Sequence, residues 1–158
     1  MQAGVIESFR NGYTVSTDKS RLDIDMIHAF LSNSSYWAQG IPVEVVRKSI
    51  HNSLCFGVYE QEKQVGFARI ISDYATFAWV ADVFILEEYR GRGLSKWLMA
   101  CVTSHPELQG QRLWLLATRD AHGLYSQHGF EPLDNPQRFM AIRNPDIYKK
   151  TGRSTTAT

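Results

Sequence analysis

The sequence predicts an α+β domain with a mixed, mostly antiparallel central sheet. Three observations carry this. Residues 54–59, 64–72 and 77–86 read as strands, and the polar connections between them are too short for crossover helices, so they form a meander. Leu94, Trp97, Leu98, Cys101 and Val102 then recur at helical period as one apolar stripe. Residues 112–117 read as a buried strand, and the helix before them makes it parallel to 77–86.

The remaining elements follow in order. Residues 1–11 show no clear period, and 13–17 alternate as an edge strand would. Asp23 can cap a helix carrying Ile24, Ile27, His28 and Leu31, which ends in the polar run Ser32-Asn33-Ser34-Ser35. An aromatic loop follows, and Pro42 opens a second helix with Val43, Val46 and Ile50 on one side. His105-Pro106 stops the third helix, because proline lacks the amide donor and restricts the residue before it. Residues 121–128 form a short helix closed by Gly129, Phe130 begins a late strand, and 139–142 ends the sheet. With no repeats and no dividing linker, 1–150 is expected to be one domain and 151–158 a flexible tail.

Composition narrows the function. An apolar fraction of 44% and a charged fraction of 21% are those of a soluble globular protein. A formal charge of +1 gives no support for a nucleic-acid or anionic-membrane surface. No apolar run reaches the length of a membrane span and no signal-peptide core is seen, so a cytoplasmic protein is expected. Cys55 and Cys101 lack metal-ligand spacing and read as small buried hydrophobes; no metal is expected.

The chemistry concentrates where the strand Val80-Ala81-Asp82-Val83-Phe84-Ile85-Leu86 runs into Arg90-Gly91-Arg92-Gly93-Leu94-Ser95. The first amides of a helix lack partners and carry a partial positive charge. Gly91 and Gly93 let the backbone take positive φ and admit a bulky anion, and two arginines add charge. Together these suit a diphosphate. The P-loop pattern is absent, and the dinucleotide fingerprint fails at Trp97, where its third glycine belongs.

This loop resembles the pyrophosphate loop of the GCN5-related N-acetyltransferases (GNAT family), of the form [RQ]-x-x-G-x-[GA]; Arg90 to Ser95 match it except that Ser95 stands for Gly or Ala. A second segment is similar independently. Ala121, Leu124, Tyr125, Gly129 and Phe130 fit N-x-x-A-x-x-[LF]-Y-x-x-x-G-F, with Thr118 in place of the Asn. The resemblance covers roughly residues 13–142 and implies the acyl-CoA N-acyltransferase fold, with helices on both sheet faces.

What the resemblance implies for the site is specific. Arg90, Gly91, Arg92, Gly93, Leu94 and Ser95 would hold the diphosphate of acetyl-CoA, and Thr118 would stand at a further cofactor contact. Val83, Phe84, Ile85 and Leu86 would diverge from the next strand and pair with the amide-rich pantetheine arm. Tyr125 would protonate the leaving thiolate, since a phenol of pKa about 10 can give up a proton to sulfur as it departs. Asp82, the one charge in its run, would take a proton from the incoming ammonium or form an ion pair with Arg69. Tyr36, Trp37, Tyr74, Trp79, Arg119 and His122 would shape the acceptor pocket; each singly also fits plain packing or a solvated position.

The expected activity is transfer of acetyl from acetyl-CoA to a primary amine of a small molecule or peptide, in a ternary complex. A non-catalytic acyl-CoA sensor and a phosphate-binding interaction module remain as alternatives. An uncovered late strand would permit a homodimer.

Overall fold

The computed structural model describes residues 4–149; the tail expected at 151–158 lies outside them. One six-stranded sheet runs in chain order: β1 Glu7–Arg10, β2 Tyr13–Ser16, β3 Leu54–Glu60, β4 Lys63–Ser72, β5 Phe77–Ile85 and β6 Leu113–Leu115. Neighbours are antiparallel up to β5, and β5 pairs with β6 in parallel. The helices are α1 Ile24–Ala29, α2 Val43–His51, α3 Leu94–Thr103 and α4 His122–Ser126.

Strand alternation divides the apolar residues between two cores. Phe56, Val58, Ile70, Val80 and Ile85 pack with Leu94, Leu98, Met99 and Val102 of α3. Their sequence neighbours Cys55, Phe67 and Phe84 face the other way, against Ile27, Leu31, Val46 and Ile50 of the α1/α2 side. Helices therefore cover both faces. Asp23 caps α1 as its position suggests, accepting the amide of Met26 at 3.0 Å. The chain leaves α1 through a π-helical turn, Phe30–Ser34. Ser35 then fixes the aromatic loop, its hydroxyl donating to the Leu31 carbonyl at 2.6 Å and accepting the Ala38 amide at 3.0 Å.

The structure departs from expectation at both ends of the sheet. β1 occupies part of the stretch that showed no period, so Tyr13–Ser16 is an interior strand and not an edge. β1 is exposed on both sides, with Phe9 75% accessible, and an unburied strand needs no alternation. Its turn is Asn11-Gly12, both at positive φ (50° and 83°), the two-residue hairpin geometry that Asn-Gly favours.

At the other end, β6 is short and half-buried rather than a buried strand over 112–117. Neither the strand beginning at Phe130 nor one at 139–142 forms. Met140 and Ile142 are 97% and 100% exposed. The physical reason is that β6 offers only three paired residues on its inner side, and its outer edge remains open.

Candidate active site

The strand-loop-helix junction has the geometry that its sequence implied. After one 3-10 turn, Glu87–Tyr89, Gly91 and Gly93 take φ of 78° and 76°, and a Cβ at either would meet nothing within 4 Å. Gly93 begins α3 with no side-chain cap. Trp97 donates to the Gly93 carbonyl, but the amides from Gly91 through Lys96 donate to no acceptor among the described residues. A run of unused donors at a helix N-terminus with open space over its glycines suits a diphosphate, so the donor set fits the expected coenzyme.

The arginines divide their roles. Arg90 folds back, its Nε donating to the Ile85 carbonyl at 3.0 Å. Arg92 turns toward β2: it donates to the Tyr13 hydroxyl at 2.6 Å and lies 5.0 Å over the Tyr89 ring. Ser95 caps nothing, and its hydroxyl makes no hydrogen bond to the described residues.

β5 splays from β6. The two pair only at Phe77, Ala78 and Trp79 with Leu113, Trp114 and Leu115, so Val80 onward presents an edge free of strand pairing on that side. A bulge accompanies the splay. Ala81 pairs with Arg69 and Phe84 with Phe67, so Asp82 and Val83 together oppose Ala68. Asp82 is the strained residue, at φ 52°. Val83, Phe84 and Ile85 follow it along that strand, whereas Leu86 lies past its end and donates its amide to the Val65 carbonyl at 2.8 Å.

Tyr125 sits on α4 in the α3-side core, 8% exposed, its ring edge-on to Phe130 at 5.8 Å. Burial, with a smaller push from the nearby Tyr36 phenol, raises it to about 12. The Thr118 hydroxyl accepts the Ala121 amide at 3.0 Å and so holds the turn into α4, leaving its own proton to donate.

Tyr36 and Trp37 join these walls. The Tyr36 hydroxyl accepts the Arg119 amide at 2.9 Å, and the Arg119 guanidinium lies 3.9 Å from the Tyr36 ring centre. Trp37 stands edge-on to Tyr36 at 5.0 Å and donates its indole N–H to Asp82 at 2.8 Å. Asp82 also receives Arg69 Nε at 2.8 Å, the ion pair that its sequence position allowed.

The other three expected pocket residues make no hydrogen bond or ring contact with the Tyr36–Trp37–Asp82 group. Tyr74 lies in the β4–β5 turn, its amide donating to the Ser72 hydroxyl at 2.8 Å. Trp79 is half-buried at the last β5–β6 pair. His122 is exposed at the start of α4, makes no hydrogen bond to the described residues, and lines a cleft together with Thr118 and Tyr125. Conversely, Phe30 was not foreseen. It stacks on Phe84 at 3.9 Å and tilts against Trp37 at 6.4 Å, and its place at the end of the α1 stripe was the available signal.

A parallel strand pair that splays beside a bulged antiparallel neighbour, with a helix N-terminus of unused amides beyond it, is the architecture of the GNAT fold. The chain belongs to the GNAT acetyltransferase family: the model described as an acetyltransferase (GNAT) domain matches residues 51–132. A Gibberella zeae protein, named as a candidate acetyltransferase, is 33% identical over 136 residues, covering 72% of this chain and 76% of its own. Among solved structures, a GNAT-family protein from Xanthomonas campestris pv. campestris is 53% identical, with a TM-score of 0.85 over 87% of this chain and 97% of its own. An Elizabethkingia anophelis GNAT acetyltransferase, solved with acetyl-CoA bound, is 12% identical with a TM-score of 0.60, over 79% of this chain and 80% of its own, a likeness of fold.

Proposed function

We propose that the protein transfers an acetyl group from acetyl-CoA to a primary amine, by direct attack while both are bound. The observation that carries this is the run of unused amides from Gly91 through Lys96, set at the end of a strand whose edge is free. When bound, acetyl-CoA supplies a thioester carbonyl and a thiol leaving group.

The chain's residues then have separable tasks. The amides at the head of α3 and the guanidinium of Arg90 hold the diphosphate. Amides on the free edge of β5, within Val83 to Ile85, pair with the pantetheine arm and stabilise negative charge on the acyl oxygen, while the Leu86 amide is held by the Val65 carbonyl at 2.8 Å. Thr118 holds the α4 entry that brings Tyr125 to the sulfur. At about 12, the Tyr125 phenol keeps its proton throughout the neutral range. Complete transfer to a thiolate of pKa about 8.5 would run uphill, so the phenol acts as a hydrogen-bond donor to sulfur while the C–S bond breaks. Asp82, the expected base, has both oxygens engaged by Trp37 and Arg69, so the proton shed by the attacking nitrogen passes to water and the released thiolate takes one up from water.

The test is calorimetric binding of acetyl-CoA, ATP and NAD, followed by release of free thiol from acetyl-CoA in the presence of tyramine, spermidine and a lysine peptide. Preferential acetyl-CoA binding with amine-dependent thiol release supports the proposal. Binding without thiol release marks a sensor, and equal binding of all three nucleotides a phosphate-binding module.

A further inference from the structure

We propose that Asp82 is a positioning residue: its carboxylate clamps Trp37 and so sets the aromatic wall against which the acceptor amine lies. This rests on the acetyl-transfer reading above for the identity of the ligand, and on geometry alone for the clamp.

The strained backbone is the first observation. A non-glycine residue at φ 52° in mid-strand holds a sparsely populated, left-handed backbone. That strain has a directional consequence. Val80 and Ile85 belong to the α3-side core although they are an odd number of positions apart, so one residue between them is inserted. Asp82 is that residue, and its side chain comes out on the α1/α2 side beside Arg69.

The second observation is that the carboxylate is fully engaged on both oxygens. Arg69 Nε donates to Oδ2 and Trp37 Nε1 to Oδ1, each at 2.8 Å. Arg69 is itself fixed, donating through its other arm to the Ser53 hydroxyl at 3.0 Å, which donates to the Ser49 carbonyl in α2 at 2.6 Å. The Arg69 and Asp82 side chains are only 15% and 10% exposed. A proton delivered from an amine would compete with these two donors.

The third observation is where the line ends. Trp37 contacts Tyr36, whose hydroxyl holds the Arg119 amide just before the helix of Tyr125. One continuous series of contacts thus runs from α2 across β4 and β5 to the α4 entry, bridging both walls of the splay. Tyr36 and Trp37 keep 41% and 43% of their surface exposed along it, which suits an acceptor with an apolar or aromatic body next to its amine.

Asp82→Asn and Asp82→Ala separate a clamp from a base. Asparagine still accepts from the indole and tolerates positive φ, whereas alanine does neither. Without any acceptor, exchange of the Trp37 indole N–H, assigned by its loss in Trp37→Phe, is expected to quicken about 10- to 100-fold in Asp82→Ala and far less in Asp82→Asn. Acetyl-CoA affinity is expected to hold in both. With tyramine as acceptor, KM rises in Asp82→Ala and in Trp37→Phe, does not rise further in the double variant, and is largely recovered in Asp82→Asn. An unprotected Trp37 indole in the native protein overturns the clamp. So does an equal collapse of kcat in both Asp82 variants with loss of the acidic limb of the pH profile, which would make Asp82 the base. If Asp82→Ala does not fold, Trp37→Phe reads the same KM rise from the donor's side. Failure of the native protein to turn over any amine counts against the acetyl-transfer reading and leaves the indole measurement standing.

Discussion

Beside β5, the open edge is lined by groups held in place. The bulge aims Asp82, Arg69 and Trp37 satisfy it, and the amides of the next helix point outward into space that two glycines keep clear. Beside β6, the open edge is lined by groups left without partners. A cleft of about 950 Å³ runs along it and reaches Thr118 and Tyr125 of the proposed site, and both amide atoms of Gln111 and Nε2 of His128 are buried with no hydrogen bond among the described residues. An unsatisfied buried polar group costs about 1–3 kcal/mol. Openness alone therefore does not mark a site. The β5 side pairs its openness with satisfied supports and aimed donors; on the β6 side Thr118 is so supported, but Gln111 and His128 are not.

The largest expected effect is on the β5 side. Gly93→Val puts a branched side chain at φ 76°, over the amides. It should cost about 1–2 kcal/mol of stability by the left-handed strain. By removing charge-assisted hydrogen bonds it should also weaken acetyl-CoA binding by at least about 100-fold, read by calorimetry. Unchanged affinity would move the diphosphate elsewhere.

Tyr125→Phe comes next. Losing one hydrogen bond to a developing thiolate should slow single-turnover transfer by about 10- to 100-fold while acetyl-CoA affinity stays the same. The pH profile sharpens this. Tyr125 is raised to about 12, so the rate should not fall from ionisation of this phenol below about pH 10. Stability carries the matching sign. The raised folded value favours the neutral phenol, so its contribution is whole below the ordinary value near 10 and is lost as pH rises through 12. Tyr59, raised further by burial, acts in the same direction. Denaturation melts from pH 9 to 12 would reveal the decline, and Tyr125→Phe should reduce it.

The smallest effect belongs to the β6 side. Gln111→Leu removes two unpartnered polar atoms from a half-buried place. It should leave the melting temperature level or raised by about 1 kcal/mol equivalent, with transfer unaffected. A clear destabilisation would mean that Gln111 has a partner in solution.

Much of this was legible because the signals were local. The α3 stripe, the Asp23 cap, the meander and the glycines at 91 and 93 depend on residues within a turn or two of one another. The Asn11-Gly12 hairpin was equally local, yet β1 buries neither face, so no period drew attention to it. The Asp82 bulge was not legible. A carboxylate in an apolar run announces a need for partners, but that one oxygen would go to Arg69 and the other to Trp37, far back in the chain, is a tertiary fact. Residues 139–142 failed in the opposite sense: Phe139, Met140 and Ile142 carry a strand's composition, but composition does not supply a neighbour.

The most direct test is an amide nitrogen–proton correlation spectrum of the full chain titrated with acetyl-CoA. Downfield shifts are expected at Gly91 through Lys96 and within Val83 to Ile85, with Gly110 in the β6 cleft unmoved. Shifts centred on Gly110, with the loop silent, would contradict this placement.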